Sequence, residues 1–147
     1  MSTQVLSAAV DFHGLCLQDA DDAWLPAAFP QDFTAGSFVH ALPGRIDITS
    51  AAHTHTVSFT AQVWEADPPS AEGDWEATAT AQVECRSGVL RLWAVTAGPS
   101  PDEITLPREN TVWNVRLYGG GREAVARAAV TSVPTGIEHY LAQFWPA

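Results

Sequence analysis

The sequence predicts an all-β fold: an antiparallel two-sheet β-sandwich of eight to ten short strands. Three observations predict it. First, residues 75 to 85 alternate without a break. Trp75, Ala77, Ala79, Ala81, Val83 and Cys85 fall on one side, and Glu76, Thr78, Thr80, Gln82 and Glu84 on the other. Successive strand side chains point to opposite faces, so this is a strand with one dry and one wet face. Second, turn signals recur at short spacing along the chain, which is the signature of a sandwich or small barrel. Third, a chain of 147 residues is long enough to bury a core between two sheets packed face to face.

The elements follow in order. Residues 4 to 18 read as strand, with Gly14 marking a bulge or bend in one long strand or the break between two short ones. Asp19-Ala-Asp-Asp22 reads as a turn. Residues 23 to 35, with Pro26 and Pro30, read as an irregular connection over a small cluster of Trp24, Phe29 and Phe33. Phe38 to Leu42 and Arg45 to Ser50 are strands joined by the Pro43-Gly44 turn. His55 to Glu65 is a strand with Val57, Phe59, Ala61 and Val63 on one face. The acidic loop to Asp74 leads into the alternating strand, and Ser87-Gly88 reverses it into Val89–Val95. Residues 98 to 102 read as a second loop before a short segment at Ile104 and Leu106. Thr111 to Tyr118 is a strand, and Gly119-Gly-Gly121 reads as its breaker. Residues 122 to 130 are alanine-rich; their place between two strands predicts strand. Gly136 to Trp145 closes a single sandwich domain spanning residues 1–147.

Charge narrows the partners. Seventeen carboxylates face seven arginines and no lysine, a formal net of −10. Such a surface repels nucleic acid and anionic membrane and attracts basic partners. No apolar run reaches the roughly 20 residues of a membrane span. The first residues, Met1 to Ser7, carry neither the basic region nor the apolar core of a signal peptide, so a cytoplasmic location is expected. Two cysteines, Cys16 and Cys85, sit in strand-like segments and read as buried free thiols, with a disulfide between them as the alternative.

No residue set spells out a catalytic site, and no cofactor is expected. His53-Thr-His55 places two imidazoles two residues apart, half of a zinc or copper site if a third ligand joins them; a metal-dependent enzyme using this pair is one alternative. There is no Gly-x-Ser-x-Gly elbow. Gly119–Gly121 lacks the lysine and the helix of a phosphate-binding loop.

The loop from 65 to 76 is more informative. It carries Glu65, Asp67, Glu72, Asp74 and Glu76 with no base among them; Asp19, Asp21 and Asp22 form a second cluster. A nuclease grips phosphate with basic groups, so a protein presenting carboxylates can occupy that groove and steer toward it. Six tryptophans are present. Trp75 and Trp113 share the parity of apolar neighbours and read as core. Trp64 and Trp93 fall on the opposite parity and read as outward, as interface anchors or as stacking platforms of a small-molecule or carbohydrate-binding sandwich. Trp145 reads as docking the last strand. The expected partner-binding set is Trp64, Glu65, Asp67, Glu72 and Asp74.

The order of short patterns resembles the competence protein J family, the inhibitors of the bacterial DNA-entry nuclease. The resemblance rests on Leu6-Ser-Ala-Ala-Val-Asp-Phe-His13, the Trp24 connection, and the paired Arg45-Ile-Asp-Ile-Thr49 and Thr56-Val-Ser-Phe-Thr60. It continues through a Ser-Gly reversal, Leu106-Pro107 leading to Thr111-Val-Trp-Asn-Val-Arg-Leu-Tyr118, and Glu138-His-Tyr-Leu-Ala-Gln-Phe144. It implies a β-sandwich that binds and blocks a nuclease, with no catalytic residue and no cofactor.

Overall fold

The alternation read in residues 75–85 is reproduced by burial from Ala77 onward. Val83 and Cys85 are buried, Ala77, Ala79 and Ala81 are half-buried, and Thr78, Thr80 and Gln82 are exposed. The computed structural model describes residues 1–26 and 37–147. Among the described residues are ten strands: β1 (Ser2–Val10), β2 (Gly14–Asp19), β3 (Val39–Leu42), β4 (Arg45–Thr49), β5 (His55–Val63), β6 (Ala77–Cys85), β7 (Val89–Ala94), β8 (Gly98–Thr105), β9 (Thr111–Gly120) and β10 (Thr135–Pro146). A helix, α1 (Arg122–Ala128), joins the last two.

The strands form two five-stranded sheets. The first has the order β1-β5-β10-β9-β6 and the second β3-β4-β2-β7-β8. Between them lies one apolar core that includes Leu6, Leu15, Leu17, Ile48, Phe59, Leu92, Trp113 and Phe144. Burying each such side chain stabilises the fold by about 1.5–3 kcal/mol. The second sheet is antiparallel throughout. The first departs from the expectation at one pair. β10 slots between β5 and β9, running antiparallel to β9 and parallel to β5.

At Gly14 the chain takes the second of the two expected forms: two short strands, here in different sheets, reversed by a turn in which Phe12 and His13 both have positive φ. Three local expectations change. The loop expected at 98–102 belongs to β8; Pro99 and Pro101 are tolerated there because β8 is an edge strand. The glycines at 119 and 120 continue β9 rather than break it. Gly120 and Gly121 are needed for close approach: a Cβ on Gly120 would lie 2.5 Å from the His139 ring, and one on Gly121 would lie 2.0 Å from the Ile137 carbonyl oxygen. Residues 122–128 are helix, not strand. Alanine favours helix, and the Glu76 carboxylate accepts from the Arg122 and Glu123 amides at 2.9 Å each, binding the free N–H groups of the first turn.

Cys16 and Cys85 are free and buried. Trp24 lies over the second sheet, donating from Nε1 to Asp19 at 2.9 Å, with the Arg86 guanidinium 3.9 Å from its ring. Phe29 and Phe33, expected beside it, lie outside the described residues.

Asp19 ends β2 and is wholly buried. Its carboxylate accepts from Trp24 Nε1, from the Asp21 amide at 3.1 Å, from the Arg86 amide at 2.8 Å and from the Ser87 hydroxyl. Burial pushes the carboxyl up, but the hydrogen bonds from Ser87, Arg86, Trp24 and Asp21 outweigh it and hold it below its ordinary value. The resulting stabilisation is present above pH 3.8 and is lost as pH falls through the lowered folded value. Asp19→Ala leaves several buried donors without an acceptor. It is expected to lower unfolding free energy by about 3 kcal/mol in urea titrations at pH 7, with the deficit shrinking in acid.

Candidate functional site

The outer face of the first sheet is polar along one line. Register places Gln62 on β5 beside Gln143 on β10, and Gln143 beside Arg116 on β9; Tyr118 follows two residues on. These side chains hold residues 64–76 as a strap across the sheet. Arg116 donates to the Pro68 carbonyl at 3.0 Å and to the Asp67 carboxylate at 2.9 Å. Gln143 Nε2 donates to the Pro69 carbonyl at 3.3 Å, and the Ala71 amide donates to the Tyr118 hydroxyl at 3.0 Å. Most of the anchors grip the backbone of the strap, so its carboxylates stay free to face outward.

The strap gathers the expected partner-binding residues. Glu65, Asp67, Glu72 and Asp74 are all exposed, but Asp67 is ion-paired with Arg116, so its charge is offset. Trp64 is half-buried, donates to Gln62 at 3.2 Å and borders a cavity of about 370 Å³ shared with Glu65, Pro107, Arg108 and Trp113. Trp75 is a correction. It lies ahead of β6 and out of the core, its ring 5.3 Å from that of Tyr118 and 5.6 Å from that of His139; a bend at Glu76 breaks the parity that predicted burial. Trp113 is core, as its parity requires. Trp145 is half-buried under the Arg116 guanidinium, 5.0 Å from the ring centre.

Trp93 lies on the outer face of the other sheet, beside Cys16 in register. There it lines a recess of about 260 Å³ with Gln18, Leu25 and Arg45. Trp64 and Trp93 therefore belong to different sheets and do not form one stacking platform. In the second acidic cluster Asp19 is spent in the core, while Asp21 and Asp22 are exposed.

The two histidines of the His53-Thr-His55 pair diverge. The chain bends through 51–54, leaving His53 exposed beside Phe12 and His13 and turning His55 inward. Among the described residues no group of three or more histidine, cysteine or acidic side chains converges on a metal position.

His55 enters a buried cluster that the sequence reading missed. Its Nε2 lies 2.7 Å from Ser50 Oγ, and Ser50 Oγ lies 2.8 Å from Glu138 Oε1. Glu138 also accepts from the Tyr140 hydroxyl, the Ala51 amide at 2.9 Å and Arg122 at 3.4 Å. Serine, histidine and glutamate in contact have the residue types of a hydrolytic triad, but the protons are arranged otherwise. Ser50 Oγ has one hydrogen, and it goes to Glu138. The hydroxyl also accepts from the Ala52 amide at 3.3 Å, so His55 Nε2 must be the donor to it. An imidazole already protonated at Nε2 cannot take the serine proton, and its Nδ1, where the orienting acid of a triad would sit, has no partner. Ser50, His55 and Glu138 are each at most 2% exposed. A signal for the cluster was legible: Glu138 shares strand parity with Tyr140, Ala142 and Phe144, and His55 with Val57 and Phe59.

No known family model matches the chain, and no curated protein matches it in sequence. Two solved structures are similar to it. One is ComJ, inhibitor of the DNA degrading activity of NucA, from Bacillus subtilis, with TM-score 0.64 and 9% identity over 98% of this chain and 96% of that one. The other is crocagin biosynthetic gene J, with TM-score 0.64 and 13% identity over 99% of both chains. At these identities the likeness is one of fold.

Two outcomes follow from the geometry. Burial holds His55 below its ordinary value of 6.5, with Glu138 opposing that shift. A neutral buried imidazole stabilises the fold above pH 6.5, and that stability is lost as pH falls through the lowered folded value. His55→Gln should therefore flatten the decline of unfolding free energy below pH 6.5 that the parent protein shows. Tyr118→Phe removes the acceptor of the Ala71 amide and should speed hydrogen exchange there by roughly tenfold, with core amides unchanged.

Proposed function

We propose that this chain is an acidic, non-catalytic protein-binding sandwich that inhibits a basic nuclease. The observation that carries the reading is the strap: Glu65, Glu72 and Asp74 exposed on a segment whose backbone is pinned by Arg116, Tyr118 and Gln143. Pre-ordering the strap lowers the entropy lost when a partner engages it, and its negative field speeds encounter with a phosphate-gripping groove. The shared fold with an inhibitor of DNA degradation supports the same reading. So does the formal net charge of −10. Trp64 supplies apolar contact area at the foot of the strap, and Asp67 serves mainly to anchor it through Arg116.

The reading is tested by affinity capture at low and moderate salt, followed by association kinetics with the captured protein. A basic nuclease whose DNA cleavage is blocked, and whose capture weakens as salt rises, is the expected result. Glu72→Lys combined with Asp74→Lys should slow association about tenfold at low salt and much less at high salt. An unchanged rate would remove the strap from the interface. Recovery of no nuclease, or of one still fully active when bound, would count against inhibition.

A further inference from the structure

We propose that the free edge of β6 pairs with an extended strand of the basic partner, continuing the first sheet into it. The partner's charge rests on the inhibitor reading above; the pairing surface is a separate inference, from the way the sheet edges are treated.

An exposed edge strand offers unpaired N–H and C=O groups to any extended chain, and soluble proteins blunt such edges. Three of the four edges here are blunted. β8 carries Pro99 and Pro101. β1 is clasped to β8: Gln4 Nε2 donates to the Thr105 carbonyl at 3.1 Å, Gln4 Oε1 accepts from the Thr105 amide at 3.0 Å, and Ser100 Oγ donates to the Ser7 carbonyl at 3.0 Å. β3 is four residues long.

Among the described residues β6 has none of these devices: β3 and β4 of the second sheet pack beside it but make no backbone hydrogen bond to its edge. β6 is nine residues long and holds unbroken register with β9 from Ala77 to Cys85. It contains no proline, glycine or basic residue. On its other side, every second N–H and C=O has no backbone partner among the described residues. An edge left this regular and this long is a ready template for strand addition.

Charge selects the occupant. The strap delivers Glu72 and Asp74 to the start of β6; Glu84, partly exposed at its far end, is offset by Arg86 at 3.9 Å, so the selecting charge lies at the start of the strand. Thr78, Thr80 and Gln82 face solvent between the two ends. A strand with basic side chains at alternate positions would set those charges beside Glu72 and Asp74 of the strap while its backbone pairs with the β6 edge. A second copy of this chain would set like charges against each other, with a formal −10 on each copy.

The test uses an eight-residue peptide of alternating lysine and valine, and a twin of the same charge that is N-methylated along one edge. Binding is followed by amide hydrogen exchange across the full protein. The expected result is protection at alternate amides within residues 77–85 by the parent peptide alone, with the twin binding at least roughly tenfold more weakly. Equal binding by the twin would overturn the edge proposal, because charge alone would then explain attraction; the inhibitor reading would stand. Protection at β1 or β3, or binding by neither peptide, would also overturn it. So would β6 protection that rises with the protein's own concentration without peptide, since the occupant would then be a second copy. Loss of parent-peptide binding in the Glu72→Lys, Asp74→Lys variant supports the charge argument. Protection of β6 that survives this variant unchanged would overturn the basic character assigned to the partner.

Discussion

One buried carboxylate fixes how the two sheets meet at one end of the sandwich. Asp19 ends β2 in the second sheet, yet it accepts from Arg86 and Ser87, which follow β6 of the first. It also takes the indole hydrogen of Trp24, whose ring carries the Arg86 guanidinium. The turns after β2 and after β6 thus converge on one side chain. An ionised group buried in a sandwich is costly unless its lone pairs are filled; here they are filled by donors that would themselves be unsatisfied without it. The cost of burial and the cost of the orphaned donors are removed together, which makes the arrangement cooperative.

At the other side of the core, Glu138 plays the same part for the β4–β5 connection. Ser50, Ala51, Tyr140 and Arg122 all donate to it, and this brings the start of α1 against the turn before β5. The contact of serine, histidine and glutamate is therefore a means of satisfying buried polar groups. Burial and Glu138 raise the Tyr140 hydroxyl well above its ordinary value, so it remains a donor across the accessible pH range. Both hubs spend their polar groups on the architecture of the sandwich.

The outer face of the first sheet uses its polar residues as anchors too. Arg116, Tyr118 and Gln143 would be unremarkable surface residues on a bare sheet. Covered by the strap, they become its anchors, and the carboxylates of the strap point away from them. Only Asp67 turns back, to Arg116. Order is thus supplied by backbone contacts while charge is left to solvent, the combination that a fast electrostatic encounter requires. The strap also reaches beyond itself, because Glu76 at its end caps α1.

What the sequence by itself determined was the periodic part of the fold. Strict alternation in residues 77–85 and 55–63 set the faces of β6 and β5, because a half-buried strand allows only one parity. The acidic strap was legible as a run of like charge between two strands, and the family resemblance pointed to the same sandwich. Local pattern could not supply groups that arrive from elsewhere in the chain. The helix at 122–128 depends on a carboxylate nearly fifty residues earlier, so alanine propensity alone left it ambiguous. Trp75 leaves the core because its partners, Tyr118 and His139, come from two other strands. Asp67 lost its free charge to Arg116, and His55 turned inward to meet Ser50 and Glu138. In each case tertiary structure decided the outcome, because a buried or paired polar group is governed by whichever partners the fold brings within hydrogen-bonding distance.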